Sequence, residues 1–94
     1  MLSRVHAFVS GRVQGVAYRY FVERRAAEIP VTGWVRNLRD GRVEIVAEGE
    51  KTGLENFLRL LRQGPRMANV DDLDIVWEDY QGEYVDFRIV FSAY

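Results

Sequence analysis

Gly33-Trp34-Val35-Arg36-Asn37-Leu38-Arg39-Asp40-Gly41-Arg42-Val43-Glu44-Ile45-Val46-Ala47-Glu48-Gly49 is the stretch whose reading settles the architecture. Residues 31–37 and 43–49 read as two strands. Between them, Leu38-Arg39-Asp40-Gly41 has the Asp-Gly chemistry of a short hairpin, with Gly41 free to take a positive φ. Strands joined in this way are antiparallel neighbours.

Outward from the hairpin, each side offers a helix and then a strand. Upstream, Tyr18, Phe21, Val22, Ala26 and Ile29 mark one side of a helix, with Arg19, Glu23, Arg24 and Glu28 mostly away from its centre. Pro30 ends that helix, because it restricts Ile29 and has no N–H to continue the ladder. Before it, residues 2–10 alternate as a strand: Val5, Ala7 and Val9 lie on the face expected to meet helices, and Arg4, His6 and Phe8 on the other. Downstream, Leu54, Phe57, Leu58 and Leu61 follow the i, i+3, i+4, i+7 spacing of a second amphipathic helix, stopped by Gly64-Pro65. Leu73, Ile75 and Trp77 then alternate with Asp72, Asp74 and Glu78 in an acidic-faced fourth strand, and Phe87, Ile89 and Phe91 alternate with Arg88 and Val90 in a fifth. The final residues, Phe91-Ser92-Ala93-Tyr94, are candidates for covering an edge or meeting a partner.

This order predicts an α+β, ferredoxin-like split βαβ fold: βαββαβ plus a short final strand, an antiparallel sheet with two helices on one face. Right-handed crossovers bring the first and third strands together at the sheet centre, and the final strand extends an edge.

Composition limits the function. Ninety-four residues make a single domain spanning 1–94, large enough for one two-layer core. The 13 basic and 14 acidic residues nearly cancel, so nothing pulls the whole surface toward nucleic acid or anionic lipid, and anion recognition has to be local. The absence of cysteine excludes disulfides, thiolate nucleophiles and cysteine metal sites, and a single histidine excludes a His-rich metal cage. Met1-Leu2 runs straight into Ser3-Arg4, without the apolar core of a secretory signal, so a cytoplasmic protein is expected.

The chemistry points to Gly11-Arg12-Val13-Gln14-Gly15-Val16-Ala17-Tyr18-Arg19, between the first strand and the first helix. Two glycines four residues apart let successive N–H groups converge on one point. A helix beginning there adds unpaired N–H groups and a positive dipole end, which suits a phosphate. Arg19 places a cation in the first turn, where the dipole favours an acid, and such a local misfit marks a functional position.

These residues carry a resemblance. The run from Val9 to Arg19 resembles the first signature of the acylphosphatases, and the run from Gly33 to Gly49 resembles their second. The one departure is Tyr18, where the family usually has phenylalanine; its hydroxyl needs a partner, in packing or on the substrate. The resemblance implies metal-free hydrolysis of a carboxyl-phosphate anhydride to a carboxylate and inorganic phosphate. It makes Arg19 the phosphate-binding arginine and Asn37 the residue that positions the attacking water. It makes Arg12, Val13, Gln14, Gly15, Val16, Ala17 and Tyr18 the loop whose backbone amides hold phosphoryl oxygens. The expected partner is a small-molecule acyl phosphate, with no cofactor, no metal, no nucleic acid and no membrane, and the expected state is a monomer.

Other readings of the same residues are plainer. Taken singly, Gly11 and Gly15 are turn residues, Arg19 a solvated helix residue and Asn37 a strand end; Gly33 allows close packing or a bulge. His6 is expected to be structural, and Asp71, Asp72 and Asp74 a charged strand surface and not a metal site. An RNA-binding sheet would carry stacking aromatics, but Arg42-Val43-Glu44-Ile45-Val46-Ala47-Glu48 has none and holds two acids. Periodicity alone does not bring Asn37 to the glycine loop.

Overall fold

The computed structural model describes residues 1–91, so any role for Ser92-Ala93-Tyr94 lies outside the described residues. The chain runs β1 (Leu2–Arg12), α1 (Tyr18–Glu28), β2 (Thr32–Asn37), β3 (Val43–Glu50), α2 (Lys51–Gln63), β4 (Asn69–Asp79) and β5 (Phe87–Ile89). The strand order is β4-β1-β3-β2-β5, with β1 and β3 adjacent at the centre and β5 at an edge, as the sequence predicts. Three pairings are antiparallel, but β5 runs parallel to β2, so the sheet is mixed and not antiparallel throughout. The reason is the path of the chain. It leaves β4 at one edge, crosses to the other, and enters β5 from the end where β2 begins.

Val5, Ala7 and Val9 of β1 and Val43, Ile45 and Ala47 of β3 are fully buried. They form one core with Tyr18, Val22 and Ala26 of α1 and Leu54, Phe57 and Leu61 of α2. Burial of this apolar set is the main force holding the layers together, at about 25 cal/mol per Å² removed from water. Gly33 sits at φ +146°, and a Cβ there would lie 1.9 Å from the Val46 carbonyl oxygen, so its role is close strand packing. Gly11 has a similar explanation. β1 extends beyond residue 10 because a register shift between Ser10 and Gly11 lets it continue along β4 to Arg12. A Cβ at Gly11 would meet the Asn69 carbonyl oxygen at 2.2 Å. Gly11 therefore serves the sheet, a correction to its expected place in the anion-binding loop.

The far face of the sheet is crossed by the connection 80–86. Glu48, 1% exposed on β3, accepts hydrogen bonds from the backbone N–H groups of Gln81 (2.8 Å) and Glu83 (3.1 Å). Arg4 pairs with Glu48, Glu78 and Glu83, and the Trp34 indole donates to the Tyr84 hydroxyl at 3.2 Å. A buried carboxylate so supplied with donors fastens the crossing segment that delivers β5 to its edge. His6 lies on this face, 2.6 Å from Glu44, which also accepts from Arg36 at 2.7 Å. Burial opposes ionisation of Glu44, but these two hydrogen bonds outweigh it and hold the carboxyl below its usual range. His6 is thus structural.

Two alternating positions end up outside the core. Trp77 remains 42% exposed at the sheet edge, with the Lys51 ammonium 5.7 Å from its ring centroid. Phe91, expected in the last strand, lies past its end and is 71% exposed. No helix among the described residues is long and apolar enough to cross a membrane.

Candidate active site

Sheet register brings the glycine loop and Asn37 together. Val43 pairs with Val9 on one side and with Asn37 on the other, so all three are level in the sheet. Both β1 and β2 are antiparallel to β3, hence they point the same way and end at the same side. Two strand spacings of about 4.8 Å separate them. The loop closes this gap over the start of β3: the Gln14 side-chain amide donates to the carbonyl oxygens of Leu38 (2.7 Å) and Arg42 (2.9 Å), at the two ends of the hairpin turn. Gln14 therefore ties the loop to the turn that follows Asn37.

The resulting cleft has a volume of ≈ 290 Å³ and is lined by Val13, Gly15 and Ala17 of the loop, Tyr18, Arg19 and Tyr20 of α1, and Asn37 of β2. Arg19 and Asn37 thus open into one space. Gly15 has φ +74° and Ala17 φ +63°, with no positive φ at Val16 between them. Left-handed residues alternating with right-handed ones are the geometry by which successive N–H groups can turn toward one side. Ala17, the residue before α1, carries a left-handed conformation that costs roughly 1–2 kcal/mol for a residue with a Cβ. Among the described residues, no backbone N–H from Gln14 to Ala17 donates to another backbone group. The first N–H groups of α1 have no intrahelical acceptor by geometry, and its first turn has neither an acid nor a side-chain cap. Gly15, Ala17 and the first residues of α1 line the cleft, so the positive end of the helix lies beside it.

Asn37 Oδ1 is buried and, among the described residues, makes no hydrogen bond. An orphaned buried acceptor of this kind costs about 1–3 kcal/mol. Among the described residues, no carboxylate or imidazole lines the cleft.

Of the other expected loop residues, Val13 and Tyr18 are part of the cleft lining, and Arg12 and Val16 are not. Arg12 is the last residue of β1, opposite Asn69. Val13 is fully buried in the core, and Val16 packs against it. The Tyr18 side chain is buried, and its hydroxyl donates to the Leu61 carbonyl oxygen at 2.7 Å. Burial pushes that phenol well above its usual pKa, keeping it a protonated donor that joins α1 to α2. The hydroxyl thus belongs to packing and not to a substrate. Sequence reasoning missed the Gln14 tether, the left-handed Ala17, Tyr20 as a lining residue and the Phe91 ring over Arg19. None of these has a local signal, since alanine ordinarily continues a helix and Phe91 fits the alternation of a strand.

A family model described as acylphosphatase matches residues 5–89. The acylphosphatase of Methylococcus capsulatus is 47% identical over 89 residues, covering 95% of this chain and 97% of the relative. The acylphosphatase of Thermus thermophilus is 49% identical over 81 residues, covering 86% and 92%. The crystal structure of acylphosphatase from Bacillus subtilis superposes with a TM-score of 0.91 at 39% identity, covering 96% of this chain and 99% of that one. Both stretches that carry the resemblance, the glycine loop with Arg19 and the β2–β3 hairpin with Asn37, fall inside the matched span, and the chain belongs to the acylphosphatase family.

Proposed function

We propose that this protein hydrolyses acyl phosphates to a carboxylate and inorganic phosphate, by in-line attack of a water molecule positioned by Asn37. The observation that carries this reading is that Arg19, Gly15, Ala17 and Asn37 line one small cleft. The planar guanidinium of Arg19 takes two phosphoryl oxygens, and the loop and helix N–H groups take the rest. The Asn37 amide oxygen accepts a hydrogen bond from the water, directing its lone pair at phosphorus. The new P–O bond forms as the bond to the acyl oxygen breaks, and that electron pair leaves with the carboxylate. The conjugate acid of the leaving group has a pKa of about 4, so expulsion at neutral pH needs no general acid. Asn37 is too weakly basic to take the proton of the water, and a phosphoryl oxygen of the substrate receives it. Positioning and charge stabilisation then make up nearly all of the catalysis.

The test is release of phosphate from benzoyl phosphate, with and without a chelator. The expected result is turnover unchanged by chelation. No release above the uncatalysed rate contradicts the function, and chelator-sensitive release contradicts the metal-free mechanism.

A further inference from the structure

Five arginines lie over aromatic rings, and among the described residues Arg19 is the one of them that makes no ion pair as well. The arginines that make ion pairs among the described residues are Arg4, Arg25, Arg36, Arg42 and Arg88, and Arg19 is not one of them. Its guanidinium carbon instead lies 5.2 Å from the ring centroid of Phe91. This contact arises at long range. Parallel pairing sets Val35 of β2 opposite Ile89 of β5, and the Val90 N–H donates to the Val35 carbonyl oxygen at 2.9 Å. Two residues further along each chain come Asn37 and Phe91, so the pairing that ends at the catalytic end of β2 also delivers an aromatic ring there. Phe91 is 71% exposed beyond the end of β5 and contributes little to the core. A large apolar side chain left on the surface, at one side of the cleft arginine, calls for a role.

We propose that Phe91 is a positioning residue for Arg19, with its ring holding the guanidinium in place for the phosphoryl group. This rests on the reading of the cleft as a phosphate site. The chemistry favours a ring over an acid. A carboxylate partner would occupy two of the five N–H donors and neutralise the charge, competing with the substrate for both. An aromatic ring attracts the cation through its quadrupole and consumes no donor, so the full fork stays available to phosphate. It also removes one side of the guanidinium from water and restricts the long, flexible stem, which lowers the ordering cost of binding. The effect therefore falls on phosphate binding and is independent of the acyl group attached to it.

The test compares wild type, Phe91→Leu and Phe91→Trp by inhibition with inorganic phosphate, by KM and kcat on acetyl phosphate and benzoyl phosphate, and by thermal unfolding. Leucine keeps an apolar side chain and removes the quadrupole; tryptophan restores it. Phe91→Leu is expected to weaken phosphate inhibition and raise KM about two- to fivefold, equally for the two substrates, as loss of an exposed cation–ring contact would. Phe91→Trp is expected to match wild type or bind more tightly, and all three proteins to unfold at the same temperature. The proposal is overturned if Phe91→Leu binds phosphate as wild type does, or if leucine and tryptophan are equally impaired. It is also overturned if the loss is confined to benzoyl phosphate, which would place the ring on the acyl group, or if it tracks a fall in unfolding temperature. An active wild type with an indifferent Phe91→Leu sinks this inference alone; a wild type inactive on both substrates sinks the hydrolase reading.

Discussion

Arg19→Ala is expected to lower kcat/KM by on the order of 10³-fold and to abolish inhibition by inorganic phosphate, while the variant folds normally. The magnitude follows from Coulomb's law: at an effective dielectric of about 20, two unit charges 4 Å apart attract by about 4 kcal/mol. Each 1.36 kcal/mol is about tenfold in rate. The side chain is only half-buried and, among the described residues, makes no ion pair, so its removal leaves no described charge stranded. Because the grip acts on the substrate as well as on the transition state, affinity and turnover should fall together. Arg19→Lys should fall between the two, since a lysine keeps the charge but loses the fork that matches two oxygens. Steady-state kinetics with phosphate as inhibitor make the measurement. Near-normal phosphate inhibition in a folded Arg19→Ala variant would refute the assignment of the cradle.

Asn37→Ala separates binding from chemistry. Its expected effect is a loss of roughly 10²- to 10³-fold in kcat, as when one transition-state hydrogen-bonding group is removed. Phosphate inhibition should change little, because Arg19 and the loop amides are untouched. A second signature lies in stability. Among the described residues, the buried Asn37 amide oxygen has no hydrogen-bond partner, and truncation removes that unsatisfied acceptor. The variant should therefore be at least as stable as wild type, the inverse of what loss of a structural asparagine gives. Unchanged kcat would remove Asn37 from the mechanism; unchanged kcat with a lower unfolding temperature would make it a structural strand end.

How much of this was legible in the chain depends on the range of the interaction concerned. Leu54, Phe57, Leu58 and Leu61 repeat with helical spacing, and the resulting helix buries all four. Val5, Ala7 and Val9 alternate and face the helices, as a period of two requires. Asp40-Gly41 marks the hairpin because turn chemistry is local. The parallel direction of β5 was not legible. It depends on a segment that crosses the far face and is fastened by the Glu48 carboxylate, and nothing in the sequence near Phe87 reports on Glu48.

The site divides in the same way. Arg19 and Asn37 could be named from two motifs, yet their meeting depends on Val43 pairing with both Val9 and Asn37 and on the Gln14 tether across the hairpin. Gly11 looked like part of the anion loop because glycine is permissive wherever it stands. Its positive φ is instead spent on a strand irregularity against Asn69. The left-handed residue next to the helix proved to be Ala17, a strained position of the kind that collects at functional sites. Tyr18, the one departure from the family pattern, finds its partner on α2, so a hydroxyl that raised a question about substrate contacts answers one about helix packing.

We propose that phosphate is held by the loop and helix amides beside Arg19 while Asn37 faces the same space. The most direct test is titration of the wild-type protein with inorganic phosphate, followed residue by residue through its backbone and side-chain amide NMR resonances. The largest shifts are expected at the N–H groups of Gly15 to Arg19, with a saturable shift of the Asn37 side-chain amide at the same midpoint. Shifts centred on the far face around Arg4 and Arg36, with the Gly15 to Arg19 amides unmoved, would contradict this proposal.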